Sequence, residues 1–297
     1  MKISVSSYSF QQYIRQGKLT QYDTVEEARK IGLDAIEFID MSPKDGATLD
    51  DQKEYAFRIR KRADELGMTI NAYTIGANLY MGNDEENEKE VQRLCNQLDV
   101  AGILGASVMR HDVCYTLGKT GNARSFDLML PTIAKNARRV TEYGESLGIK
   151  TCSENHGYIA QDSDRVERLF NAVAHDNYGL LVDFGNFCCV DENNVTAVSR
   201  VAPYAVHAHA KDMHIYSGTG PNPGVTGMTR GGNWYRGAII GQGNVPVKQC
   251  IRIMKKAGYD GYLSIEFEGV EDCIYGITKG YENLKKYIEE VESEFTK

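Results

Sequence analysis

VHAHAKD, running from Val206 to Asp212, alternates in the rhythm of a β-strand, so His207, His209 and Lys211 share one face and Ala208 and Ala210 the other. Two histidines and a lysine on one side of a short apolar strand are costly to bury. A single histidine there would read as a core residue satisfied by a hydrogen bond. This one has company. Three other short hydrophobic runs each carry an acid near their C-terminal end: Glu154 in IKTCSENH, Asp183 in LLVDFGN and Glu266 in YLSIEFEG. Two glutamates, an aspartate and a histidine form a first shell suited to a divalent metal.

Working outward, β-rich runs alternate with amphipathic helical runs along the whole chain. Strands are expected to begin near Ile3, Asp34, Met68, Gly105, Lys150, Gly179, Ala205 and Tyr262. A strand with its crossover helix takes about 30 residues or more, and most of the gaps fit one such unit. The spacing predicts helices over Thr24–Lys30, Asp50–Leu66, Asn83–Leu104, Pro131–Leu147, Ser163–Ala174, Val195–Ala202, Pro246–Ala257 and Ile277–Glu294. Several end in a glycine before the next strand (Gly32, Gly67, Gly105, Gly148, Gly258), the residue that caps a helix C-terminus in left-handed conformation. Eight βα units with no break in composition imply one α/β domain over residues 1–297, a (β/α)8 TIM barrel. Two gaps are overlong and are expected to hold irregular segments, Val113–Leu130 and Met213–Asn244. The second carries nine glycines, the only tryptophan (Trp234), Tyr235 and Arg236, and suits a lid over a small ligand. Gly241-Gln242-Gly243 is too short to indicate a nucleotide site.

On such a barrel Glu154, Asp183, His209 and Glu266 fall on the last four strands and converge at the C-terminal face, where barrels keep their active sites. The pleat sets a second tier nearer solvent: His156 above Glu154, Lys211 above His209 and Glu268 above Glu266, with Gly185 leaving space on the sixth strand and Asn186 beside it. That tier, with Arg236, is expected to bind substrate. Three carboxylates, one imidazole and no thiolate favour Mn²⁺ or Mg²⁺, with Co²⁺ or Zn²⁺ also suited. Such a site can hold a carbonyl and a neighbouring hydroxyl and stabilise an enediolate while a carboxylate moves the α-proton. Glu154 and Glu266 are the expected proton acceptor and donor. Arg110, Lys211 and Arg236 are the cations that a phosphorylated substrate would meet, and His111 and Asp112 either line the pocket or begin a loop. His175 and His214 receive no role.

Composition narrows the remaining classes. With 42% hydrophobic and 25% charged residues the chain can bury a large core, and its net charge of −7 and pI near 5.5 argue against a nucleic-acid-binding surface. No apolar run reaches membrane-spanning length, and Met1-Lys2-Ile3 leads straight into ISVSSYSF, leaving no room for a signal peptide. The seven cysteines are odd in number and contain no CxxC, which reads as reduced thiols in a cytoplasmic protein.

The motifs GLDAIEF, SENHG, LVDFGN, HAHAKD and GYDGYLSIEFEG resemble the xylose-isomerase-like TIM-barrel superfamily, specifically its sugar phosphate isomerase/epimerase branch. The resemblance implies one divalent metal, often Mn²⁺, on Glu154, Asp183, His209 and Glu266, with the two glutamates as acid and base. It implies an isomerase or epimerase of carbohydrate metabolism acting on a sugar or cyclitol, or a lyase of the same branch. The lyases are a dehydratase, or a subunit that cleaves C-glycosides after the sugar is oxidised and then works with a second subunit. A non-catalytic sugar-binding barrel is the remaining reading, and a dimer or tetramer of identical chains is expected by resemblance. Ketose 3-epimerases usually carry a histidine where this chain has Asn186 and an arginine where it has Lys211-Asp212. Endonuclease-IV-type relatives need histidines on early strands, and none precedes His111.

Overall fold

The computed structural model describes residues 1–119, 121–225 and 227–296. Eight parallel strands close into a barrel: β1 (Lys2–Ser6), β2 (Ala35–Ile39), β3 (Thr69–Ile75), β4 (Val108–His111), β5 (Lys150–Glu154), β6 (Tyr178–Asp183), β7 (Ala205–Ala210) and β11 (Tyr262–Ile265). The ring runs in chain order, β11 pairing with both β7 and β1 to seal it. The (β/α)8 reading of the sequence is thus the fold observed, and each strand begins within three residues of its expected start.

The outer helices follow from the same patterns. After the short α1 (Gln11–Arg15) come α2 (Thr24–Ile31), α3 (Leu49–Glu65), α4 (Asp84–Leu104), α5 (Phe126–Ser146), α6 (Ser163–Val173), α7 (Asn194–Val201), α8 (Val247–Lys256) and α9 (Cys273–Phe295). In α8 the buried residues are Val247, Cys250, Ile251 and Met254, the i, i+3, i+4, i+7 stripe that faces a core. Thr48 and Asp51 close α3 with a reciprocal capping box, and Asn83 caps α4 just ahead of Asp84, Glu85 and Glu86. Gly32 and Gly105 end α2 and α4 in left-handed backbone, at φ 102° and 82°.

Three expectations need correction. Helix α5 starts at Phe126, not Pro131, because Ser125 accepts from the Leu128 N–H and caps it, leaving Pro131 inside the helix. The last five residues of the expected irregular segment Val113–Leu130 are therefore helical. Helix α9 likewise begins four residues early, at Cys273, capped by Asp272. The third correction concerns Met213–Asn244, which is not irregular: β8 (Asp212–Tyr216), β9 (Gly227–Met228) and β10 (Trp234–Ala238) form a three-stranded antiparallel flap, ordered β8-β10-β9. Its glycines disguised the alternation. One residue, Lys211, separates β7 from β8, so the flap grows directly out of the barrel wall.

Asp212 closes the base of this flap. Its Oδ1 accepts from the N–H groups of Met213 and Val245 at 2.8 and 3.0 Å, and its Oδ2 from those of Gly241 and Gly243, both at 2.9 Å. That is the structural use of Gly241-Gln242-Gly243. All seven cysteines are unpaired. Among the described residues no helix is long and apolar enough to cross a membrane.

Candidate metal centre

Neighbouring strands in register point their side chains the same way, so Asp183 on β6 and His209 on β7 enter the barrel together, as do Ser264 on β11 and Ser4 on β1. Glu154 ends β5 and Glu266 follows β11 by one residue. The four expected ligands therefore meet at the C-terminal mouth: one ligand atom from each of Glu154, Asp183, His209 and Glu266 lies within 4.8 Å of the others. His209 Nδ1 is the hub, 3.5 Å from Asp183 Oδ2, 3.6 Å from Glu266 Oε2 and 3.8 Å from Glu154 Oε1.

The remaining atoms of these side chains are held from behind. Asp183 Oδ1 accepts from the N–H groups of Gly185 and Asn186, at 2.7 and 2.8 Å. Asn155 brackets the Asp183 backbone, accepting from its N–H and donating to its C=O, both at 2.9 Å. Glu154 receives the Asn186 amide at 2.8 Å on Oε1 and Arg110 at 2.7 Å on Oε2. By contrast Asp183 Oδ2 and His209 Nδ1 are buried with no hydrogen-bond partner. Two carboxylate charges about 4 Å apart repel by roughly 4 kcal/mol at an effective dielectric of 20. Orphaned acceptors facing a shared centre, three of the four ligands carboxylates, are what a divalent cation satisfies, and the donor set fits a hard or borderline metal.

Local charges set the two glutamates apart. Burial pushes the Glu154 carboxyl up, and Arg110 and His209 only partly offset this. Burial acts the same way on Glu266, but Lys211 and His209 outweigh it and hold that carboxyl well below the usual range. Lys211 is not stacked a tier above His209. Its ammonium reaches in to the ligand level, 2.7 Å from Glu266 Oε2 and 3.9 Å from Asp183 Oδ2, with Glu268 at 3.1 Å. Gly185 makes the room: a Cβ there would stand 3.0 Å from Lys211 Cγ.

The other expected site residues fall in three places. His156 and Glu268 line a cavity of about 270 Å³ with Tyr8, Arg110 and Lys211 and with three of the four candidate ligands, Glu154, His209 and Glu266. Asn186 lies behind the carboxylates, off that cavity's wall, with its amide nitrogen given to Glu154 and its oxygen to Lys211 at 3.2 Å. Arg236 lines an adjoining cavity of about 720 Å³ beneath the flap, with Tyr158, Tyr216, Met228 and Tyr235; the two cavities meet at Glu268. Both terminal nitrogens of Arg110 are engaged, by Glu154, by Asp112 at 2.9 Å and by the Ile75 carbonyl at 3.2 Å, while its buried Nε has no hydrogen-bond partner. Asp112 also takes His156 at 2.9 Å and Tyr115 at 2.8 Å, while His111 is fully buried at the end of β4. His175 and His214 lie outside both cavities.

Two functional neighbours escaped the sequence reading. Tyr8 follows β1 and forms part of the cavity wall, a position visible only once the barrel closes. Glu37, on β2, is fully buried between His207 Nε2 at 2.5 Å and His209 Nε2 at 2.8 Å. Burial opposes its charge, but the two imidazoles outweigh that and keep it ionised far into acid.

An eight-stranded barrel with four convergent candidate ligands at its C-terminal mouth defines a class, and the chain belongs to the xylose isomerase-like TIM barrel family, whose profile matches residues 25–293. Among curated relatives it is 26% identical over 160 residues to the rhizopine catabolism protein MocC of Rhizobium meliloti, covering 50% of this chain. The chain spans just under half the length of the curated relatives it matches, 47% and 46%. The same fold is seen in D-psicose 3-epimerase of Clostridium cellulolyticum H10, solved with D-tagatose (14% identity, 97% of this chain and 99% of that one, TM-score 0.74). It is seen too in a xylose isomerase-like TIM barrel protein from Mycobacterium smegmatis in complex with magnesium (16% identity, 97% of each chain, TM-score 0.68).

Proposed function

We propose that this protein is a divalent-metal-dependent isomerase or epimerase of a sugar or cyclitol, working by proton transfer at the carbon next to a carbonyl. The observation that carries the reading is the convergence of Glu154, Asp183, His209 and Glu266 with two of their buried atoms unpartnered. A divalent cation there, Mn²⁺ first, would bind the carbonyl and adjacent hydroxyl oxygens and stabilise the negative charge that develops when the α-proton leaves. Glu154, at the end of β5, and Glu266, just after β11, approach that centre from different strands, and in this reading they serve as proton acceptor and donor. His156 and Glu268 orient substrate hydroxyls from the cavity wall. The cavity over the ligands is smaller than the roughly 300–1,000 Å³ of drug-sized ligand sites, which suits a small polar substrate.

Incubation in D₂O with Mn²⁺ and a panel of ketoses, oxidised sugars and inososes tests this. Deuterium is expected at a carbon next to the carbonyl, with rates falling at least 10²-fold in both Glu154→Gln and Glu266→Gln. Metal binding by the wild type without exchange into any member of the panel would count against the reaction. A lyase begins with the same proton removal, and Lys211, 2.7 Å from Glu266 and 3.1 Å from Glu268, is placed to donate to a leaving group. Release of water or an aglycone in the same incubation would select it.

A further inference from the structure

We propose that Glu37 is a positioning residue for the metal centre, holding the outer ring nitrogen of His209 so that Nδ1 faces the three carboxylates, with His207 anchoring Glu37 in turn. The inference rests on the metal reading above and extends it to residues that would not themselves touch the metal.

The three side chains sit inside the barrel, Glu37 from β2 and both histidines from β7, and none is more than 2% exposed. Glu37 Oε2 is 2.5 Å from His207 Nε2, and Glu37 Oε1 is 2.8 Å from His209 Nε2. The trio has the composition of a second cation site. Its contacts are shorter than the roughly 3 Å or more that separates neighbouring ligands at about 2.0–2.2 Å from a cation. The separations are those of hydrogen bonds.

A buried acid between two buried imidazoles is a poor way to stabilise a core, since apolar residues of similar volume do as well or better. Its place explains it. His209 presents Nδ1 to Asp183, Glu266 and Glu154 and Nε2 to Glu37, so the carboxylate selects the tautomer that leaves Nδ1 free to ligate. Within the described residues neither His209 Nε2 nor Glu37 Oε1 has an aligned hydrogen bond, although they are 2.8 Å apart. Each is the other's partner in waiting, and ligation at Nδ1 is what would fix the ring plane.

The experiment uses Co²⁺, bound to the intact wild-type chain and read by proton NMR in water. His209 is the one histidine among the four ligands, so one strongly shifted, solvent-exchangeable N–H resonance is expected, absent in D₂O. In Glu37→Gln, which keeps the volume and loses the charge, the dissociation constants for Co²⁺ and Mn²⁺ are expected to rise about 10–100-fold. The N–H signal should move or exchange away, and His207→Gln, one step more remote, should lose less affinity. Affinity within twofold of wild type in a folded Glu37→Gln, or no exchangeable shifted resonance in the Co²⁺ wild type, overturns the proposal. The second result decides even where the variant fails to fold. A wild type that binds no metal overturns the metal centre itself, which is a separate outcome.

Discussion

At the scale of single residues, the site is a set of acids restrained by their neighbours, Arg110 between Glu154 and Asp112 and Lys211 against Glu266. Burial alone would raise the Asp112 carboxyl, but Arg110 and His156 hold it at about 2, against 3.8 for an ordinary aspartate. A depressed carboxyl stabilises the fold above its unfolded pKa and loses that contribution as the pH falls through its folded one. Asp112 should therefore contribute about 2 kcal/mol at neutral pH, lost between about pH 4 and pH 2. Urea unfolding across that range should show a shallower acid loss in Asp112→Asn than in wild type; parallel slopes would disprove the assignment. Residues of this kind divide what the sequence revealed from what it concealed. Glu154, Asp183, His209 and Glu266 each end an apolar run, a pattern visible in one dimension. Glu37 sits in AIEFI, one acid in a strand, and meets His207 only across 170 residues and the closed interior. Arg110 was noted for its charge alone, because its partners Glu154 and Asp112 lie on the next strand and the following loop.

At the scale of elements, the flap is where expectation and structure parted. Glycine content suggested an unstructured lid, yet Trp234–Ala238 pairs with Asp212–Tyr216 over five residues. At Gly218, Gly237 and Gly243 another stretch of backbone lies where a Cβ would stand. A Cβ on Gly237 would stand 2.4 Å from the carbonyl carbon of Glu268, which links the flap to the end of β11. Gly237→Ala should lift β10 off Glu268 and disturb both cavities. The expected result is an activity loss of tenfold or more with a melting temperature changed by only a few degrees, since the barrel strands are untouched. A fully active Gly237→Ala would mean that the flap does not shape the site. Proline misled at α5 for a related reason: a cap such as Ser125 outweighs a residue that ordinarily begins a helix.

At the scale of the whole molecule, the barrel was the most legible feature, because eight strand-helix periods repeat a signal that no single segment carries. Its mouth gathers carboxylates whose repulsion the fold itself only partly offsets, so metal should act on stability as well as on chemistry. Mn²⁺ at a hundred times its dissociation constant should stabilise the native state by about 2.7 kcal/mol and raise the melting temperature by roughly 5 °C. Differential scanning calorimetry with and without chelator checks this; identical melting curves would argue against an occupied centre. Asp212 has a consequence of another kind. Its carboxylate gathers four backbone N–H groups from both legs of the flap, so the join to the barrel is complete before the chain reaches Tyr216 and after it leaves Trp234. Beyond that join the flap is tied down a second time, Thr229 and Asn233 to Asp191 and Arg230 to Asp162, so its base and its tip are anchored independently.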